Sequence, residues 1–570
     1  MASTLRRIPS GETFVLAGLL LYVVVVVVIP LARLLLEGLA PGEEGQIFGL
    51  ARDTWGSRSV GRALANTVLI ASLSTCVSVV VGVAFALFVR LTDIWGRKAI
   101  VFLAMLPMLI PPQISALAWI ELLGPSSVIL QLLGLAPPPG TTNPLYSMGG
   151  IIWVMGLEHA PLVFLAVTAA ASGLSNDLVE AARIGGVGSW RIVRSVVVPL
   201  LLPAIIAGGA LAYVSAIGNF GVPALLGIPG RVTVLTTLIY QRLNGFGPSV
   251  LGEVAAIAYL LVGLSILGIV IRIVFETRSR TVQTRIGPAL RSFALGRHRL
   301  TVSALVWTAT LFFSILPLIA LVSRALVPAL GVKLSFETMS LENFSFVLFE
   351  SAGTRRAFAN SFTLAAAAAI LSALAAIPLA YFSTVRQLPV ARFLDAAADA
   401  PYAVPGTVLA VGIILVFLPP LPLLGFSLYG TIWILLIAYL ARFLLLALRP
   451  INAAFATLET GLDEAAAIAG ARPMRRLLAI GAPLVAPAAV AGAMLIFMTA
   501  FNELTLSALL WSTGHETLGI MVFFLQYEGN SPAAAALATV IVAVTVLLAL
   551  LFELFGRRYA PGAVPWHVAT

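Results

Sequence analysis

Lysine is almost absent from this chain: Lys98 and Lys333 are the only two among 570 residues, and neither follows a glycine. A phosphate-cradling loop of the Gly-x4-Gly-Lys-Ser/Thr type needs that lysine, so it cannot be built here. Cysteine occurs once, as Cys76 inside an apolar run, which excludes an intramolecular disulfide. Charged residues of all kinds make up 10% of the chain, against roughly 25% in a soluble globular protein. No group of side chains has metal-site spacing and no nucleophile–base arrangement stands out, so no metal ligands are assigned and the chain itself is not read as an enzyme. The formal charge of +10 reports membrane topology rather than nucleic-acid binding.

What is present is hydrophobic: 60% of the residues, with a mean hydropathy of +1.05. They are gathered into runs of about 20 or more, enough for a helix to cross a ~30 Å hydrocarbon core. This predicts an all-α polytopic protein of the lipid bilayer. About twelve transmembrane helices are expected, near 14–36, 63–89, 99–121, 149–171, 200–219, 252–275, 300–325, 357–384, 393–418, 429–448, 484–504 and 532–555. With a cytoplasmic N-terminus, most Lys and Arg fall on inside segments, among them Arg6, Arg7, Arg97, Lys98, Arg557 and Arg558. Both termini are therefore expected in the cytoplasm. The first apolar run is long and lacks a small-residue cleavage site, and reads as a retained helix. Residues 276–299 hold Arg278, Arg280, Arg285, Arg291, Arg297 and Arg299 against Glu276, and read as a solvated cytoplasmic linker between two membrane halves, 1–275 and 300–570.

The halves repeat one another. Glu180-Ala181-Ala182, Gly186, Pro199 and Pro203 recur 284 residues later as Glu464-Ala465-Ala466, Gly470, Pro483 and Pro487. Ala65-Asn66-Thr67 and Pro111 recur 294 residues later as Ala359-Asn360-Ser361 and Pro405. The lengthened outside loop around Pro137, Pro138, Pro139 and Gly140 accounts for the change of spacing. Two tandem six-helix halves insert in one orientation and are related by a pseudo-two-fold axis along the membrane normal. Each Glu-Ala-Ala stretch is too polar to cross a membrane and forms a short helix, with Asn176 and Asp177 as start signals and Gly185, Gly186 and Gly188 as stop signals.

These two stretches resemble the motif of permease subunits of binding-protein-dependent ABC importers: Glu-Ala-Ala, three residues, Gly, nine residues, then Ile-x-Leu-Pro. The first copy has Val196 and Val198 at the Ile and Leu places; the second has Ile480 and Ala482. The resemblance covers most of the chain and implies that Glu180, Ala181, Ala182 and Gly186, with Glu464, Ala465, Ala466 and Gly470, form coupling helices. Each would dock on one of two ATP-binding subunits, which bind ATP and Mg; no cofactor is assigned to this chain. The run Asn219-Phe220-Gly221-Val222-Pro223 with Val234–Tyr240 resembles the fused iron(III) permeases, which implies ferric cargo handed over by an extracytoplasmic binding protein at a bacterial or archaeal cytoplasmic membrane. Thiamine or an organophosphonate is the alternative cargo. An ion-gradient-driven secondary transporter is the alternative class.

Ionisable residues inside spans mark candidate translocation paths. Glu158 and His159 fall in the fourth span and Glu503 near the end of the eleventh. At the 284 spacing Glu158 corresponds to Arg442 and Asn219 to Glu503. Glu158 and Arg442 are expected to face each other between the halves, and Asn219 and Glu503 to meet cargo or to serve a local hydrogen-bonding role. Asp395 and Asp399 read as solvated, and Tyr213 and Tyr240 as interfacial aromatics.

Overall fold

Lipid offers no hydrogen-bonding partner, so each apolar run must satisfy its own backbone, and helices result. The structure is a computed structural model that describes residues 10–41, 45–138, 140–174, 176–246, 250–280, 293–421 and 425–559. Among them, 11 helices are long and apolar enough to cross a membrane. A twelfth crossing is the pair Pro389–Ala403 and Gly406–Phe417, bent by 113°. The third expected span is likewise divided, into Arg97–Leu109 and Pro112–Leu123. The expectation of continuous helices over 99–121 and 393–418 is therefore corrected. Proline has no N–H to bond four residues back, and it pushes its predecessor out of the helical region. Pro111 sits at φ −56°, ψ 143° and Pro405 at φ −55°, ψ 143°, each behind an extended residue, Ile110 or Val404.

Four other prolines widen a helix instead of breaking it. Ahead of Pro30, Pro199, Pro317 and Pro483 lies one π-helical turn, over Val24–Val28, Val193–Val197, Leu311–Ile315 and Leu477–Gly481. Each closes with an N–H that reaches five residues back: Ile29 to Val24, Val198 to Val193, Leu316 to Leu311, Ala482 to Leu477. The extra residue carries the chain past the proline ring without ending the helix. Close packing relies on small residues, as lipid-embedded helices require. Arg58–Leu91 meets Met148–Ser172 where a Cβ on Gly82 would come within 2.6 Å of the Ala160 carbonyl oxygen. Beside it Ser78 donates to the Gly156 carbonyl at 2.8 Å.

The first span of each half lies against the other half. In Gly11–Gly38, Tyr22 Oη donates to the Leu440 carbonyl at 2.9 Å, Pro30 packs on Gly412, and Glu12 meets Arg386 at 3.5 Å. In Gly296–Ala325, Phe313 contacts the rings of Phe85 and Trp153, and Phe312 that of Trp119. Its lower end is tied to the 92–96 turn. Trp95 N–H donates to Ser303 Oγ at 3.2 Å, Trp307 Nε1 to the Trp95 carbonyl at 3.1 Å, and Arg299 Nε to the Asp93 carbonyl at 2.7 Å. The Asp93 carboxylate accepts the Leu295 N–H at 2.9 Å; that bond, with the Arg299 guanidinium nearby, holds its carboxyl below the ordinary range.

The linker expectation needs correction at its far end. Residues 276–280 continue the helix Leu251–Arg280, and 281–292, with Arg285 and Arg291, lie outside the described residues. Phe293 is buried, not solvated: its N–H donates to the Leu91 carbonyl at 2.6 Å, and Arg183 lies 4.5 Å over its ring. At the opposite end of the same swapped span, Arg324 Nε donates to Glu121 Oε2 at 2.5 Å, with both side chains buried. Arg324→Met strands that carboxylate, and a cost of about 3–5 kcal/mol is expected, read as a lower melting temperature in detergent. Adding Glu121→Gln should recover most of the loss.

Candidate functional site

The two Glu-Ala-Ala stretches form the helices Asn176–Ile184 and Thr460–Ile468. Their ends are superimposable in hydrogen bonding. Gly186 N–H donates to Arg183 and Val187 N–H to Ala182; 284 residues on, Gly470 N–H donates to Ala467 and Ala471 N–H to Ala466. This is the Schellman stop, which needs a left-handed residue just past the helix. Gly186 (φ 73°) and Gly470 (φ 81°) supply it, whereas Gly185 and Gly188 are not in that conformation. Glu180, Ala181, Glu464 and Ala465 are exposed, and Ile184 and Ile468 present 88% and 89% of their surface. An isoleucine so exposed at the same place in both copies is an unfilled apolar knob. At the start of the first helix, Asn176 bonds the Glu180 carboxylate.

Both helices lie on one side of the bundle. Gly11, at the start of the first span, sits against Met474 behind the second helix. Two crossings later Leu91 returns to Phe293, on which Arg183 of the first helix rests. The second helix is fastened by charge: Asp463 accepts from Arg476 at 2.8 Å and from Tyr381 Oη at 3.0 Å. Arg476 is thereby buried, a role the sequence reading did not assign.

The second repeated triplet also acquires a task. Asn66 Nδ2 donates to the Thr233 carbonyl and Thr67 Oγ1 accepts the Leu235 N–H, both at 2.9 Å. Asn360 Nδ2 donates to the Glu516 carbonyl and Ser361 Oγ accepts the Leu518 N–H, again at 2.9 Å. Each pair pins the start of a half-buried helix, Leu235–Phe246 or Leu518–Tyr527, that follows the fifth span of its half. Asn219 and Glu503 cap the turns between: Val222 N–H donates to Asn219 Oδ1 at 3.1 Å, and Leu506 N–H to Glu503 Oε1 at 2.7 Å. Their local hydrogen-bonding role is thus observed.

The expected meeting of Glu158 and Arg442 does not occur; each bonds within its own half. Glu158 accepts both carboxylate bonds from Asn219 Nδ2, at 3.1 and 3.2 Å, with His159 Nε2 3.8 Å away. Arg442 Nη1 donates to the Pro401 and Val404 carbonyls at 2.9 and 2.8 Å. The Pro401 carbonyl is the one that a residue at 405 would engage in an unbroken helix, and proline cannot. Asp395 and Asp399 are not simply solvated: Arg449 reaches both, and Asn452 donates to Asp395 at 2.9 Å. Tyr240 packs in an aromatic cluster with Phe220 and Phe523.

Between the halves lies a cavity of about 360 Å³. Its end is the pair of broken segments Pro111–Gln113 and Asn502–Thr505, where Gln113 Nε2 donates to the Asn502 carbonyl at 3.3 Å. From there it extends along Met105 and Phe552 toward the side that carries the paired helices. Of the expected path residues, Arg442 and Glu503 line it; Glu158, His159 and Asn219 do not.

A cavity between duplicated halves, above two matched exposed helices, is transport architecture, and comparison with known proteins agrees. The chain is 29% identical over 524 residues to a probable ABC transporter permease, y4fN, of Sinorhizobium fredii, covering 89% of each. It is 24% identical over 564 residues to the ferric transport system permease FbpB of Actinobacillus pleuropneumoniae, covering 96% of this chain and 79% of that one. A shorter match, 31% over 204 residues, covers 36% of this chain and 71% of a probable molybdenum ABC transporter permease of Haloferax volcanii. Residues 78–281 and 374–563 each match the family described as binding-protein-dependent transport system inner membrane component. Those two stretches include both capped helices and all five candidate path residues, and the chain belongs to that family, as an ABC transporter permease with both copies of the domain in one polypeptide.

Proposed function

We propose that this permease imports ferric iron, received from an extracytoplasmic binding protein and driven by two separate ATP-binding subunits. The observation that carries the energy-coupling part is the pair of identically capped helices, each offering Glu180 or Glu464 and an exposed Ile184 or Ile468 on one side of the bundle. That side is the cytoplasm on this reading, with both termini there. The ferric assignment is supported by relatives named for ferric transport that match nearly the whole chain, whereas the molybdenum relative matches about a third. Thiamine or an organophosphonate on the same architecture is the competing cargo.

The levers have definite attachments. Closure of the ATP-bound subunits draws the two helices together. The second pulls through Asp463 on Arg476 and Tyr381, hence on the spans Pro473–Phe501 and Ala352–Val385 together. The first pulls through Arg183 on Phe293 and so on the end of Arg58–Leu91. Rocking of the halves closes the cavity on one side and opens it on the other, and hydrolysis in the partner subunits resets the cycle. A cavity lined by two broken segments suits this, because the breaks are where helices can hinge.

Two outcomes test the reading. The double change Glu180→Arg with Glu464→Arg should weaken co-purification of the ATP-binding subunits by about tenfold or more, since it sets like charge or desolvation against a docking surface; undiminished co-purification argues against coupling. Glu503→Gln keeps an acceptor for Leu506 while removing the charge. It should lower iron uptake into proteoliposomes several-fold, on the order of one charged hydrogen bond, with assembly intact; unchanged uptake removes Glu503 from the path.

A further inference from the structure

We infer that cargo crosses this cavity as an oxyanion or bound to one, held by the guanidinium of Arg442. The inference rests on the reading of the chain as an importer permease, not on the identity of the metal. Arg442 lines the cavity and is half-buried. Both of its protein hydrogen bonds leave from Nη1, to the Pro401 and Val404 carbonyls. Arginine carries five donors in a planar fork, and among the described residues Nε and Nη2 have no protein acceptor. Two carbonyls fix one prong and leave the other edge for a bidentate anion, the geometry in which arginine binds carboxylate and phosphate most strongly.

The rest of the wall argues against a bare trication. Ferric iron is hard and takes oxygen ligands, whereas thioethers suit soft metals. The cavity offers the thioethers of Met105, Met108 and Met498, with neutral oxygens from Gln113, Asn502 and three threonines. Its carboxylate, Glu503, accepts the Leu506 N–H at 2.7 Å, the Ser507 N–H at 3.0 Å and Ser507 Oγ at 3.1 Å. That occupies three of roughly four lone-pair positions. A naked trication would thus find neutral oxygens and one carboxylate already carrying three hydrogen bonds, beside the fixed positive charge of Arg442. An oxyanion removes both difficulties: it satisfies Arg442 and, where iron is present, shields the metal's charge. In the first half the corresponding residue is Glu158, bonded to Asn219 and off the cavity, so the anion site is confined to the second half.

The test uses proteoliposomes that contain the assembled importer with its ATP-binding subunits and binding protein. Radiolabelled iron and radiolabelled inorganic phosphate are supplied in carbonate-free buffer, with citrate substituted in a parallel arm. Co-accumulation of iron with either anion supports the inference as an iron chelate. Accumulation of phosphate without iron supports it as well, and overturns the ferric assignment instead. Iron that accumulates without either anion overturns the inference while leaving the ferric assignment standing. Arg442→Gln should reduce uptake about tenfold or more, and Arg442→Lys should restore only part of it, because a point charge replaces a bidentate fork. Arg442→Gln uptake within about twofold of the unaltered protein overturns it. The double-label measurement needs no variant, so misfolding of either cannot shelter the idea.

Discussion

Backbone carbonyls stranded in lipid cost several kcal/mol each by the order of such transfers, and this chain strands them at the same places in both halves. Pro111 and Pro405 break the third and ninth spans with almost identical dihedral angles. What compensates the break differs between the copies. In the second half Arg442 supplies two donors to the carbonyls of Pro401 and Val404. A positive charge is thereby fixed at the wall of the central cavity by a demand of the backbone. The guanidinium at the cavity wall follows from a residue type that cannot donate a hydrogen bond.

The swapped first spans answer a different problem, that six-helix halves joined only by a linker could separate. Gly11–Gly38 binds the second half through Tyr22, Pro30 and Glu12, while Gly296–Ala325 binds the first through Arg299, Trp307 and Arg324. Each attachment near the paired helices also touches an element that leads to one of them: Met474 beside Gly11, Phe293 beside Arg183. A lever and its counter-half are thus in contact through packed side chains, which transmit displacement because protein interiors compress little.

Much of this was legible in the sequence because lipid and duplication leave strong marks. The span count, the two halves, the loop helices and the glycine at each stop could be read from run length, spacing and the geometry glycine alone tolerates cheaply. The repeated Ala-Asn-Thr/Ser triplet was visible but mute, since its partners at Thr233, Leu235, Glu516 and Leu518 lie more than a hundred residues away. Pro111 and Pro405 were visible as a repeat, yet proline widens a helix at Pro199 and breaks it at Pro405, and tertiary support decides which. Glu158 and Arg442 do not pair, because symmetry relates positions, not contacts. Residues equivalent by a two-fold meet only if they lie on the axis, and these lie within their own halves beside Asn219 and the Pro405 break.

The two copies have diverged unequally, and the inequality itself separates two kinds of surface. At the paired helices the sequence Glu-Ala-Ala, the exposed isoleucine, the positive-φ glycine and even the following π turn are kept. At the core the corresponding positions carry Glu158 against Arg442, His159 against Phe443 and Asn219 against Glu503. On the proposed coupling, a surface that fits equivalent partners twice is held to one shape in both copies, since a change in either spoils one contact. An interior that passes a single cargo is under no such rule: one wall can hold the charge and the other can be packed shut. Here Glu158 and Asn219 close on each other, and Arg442 is left facing the space. Asymmetry at the cavity is therefore what a fused chain can reach and a pair of identical subunits cannot, because only separate copies of the sequence can place opposite charges at one symmetry position.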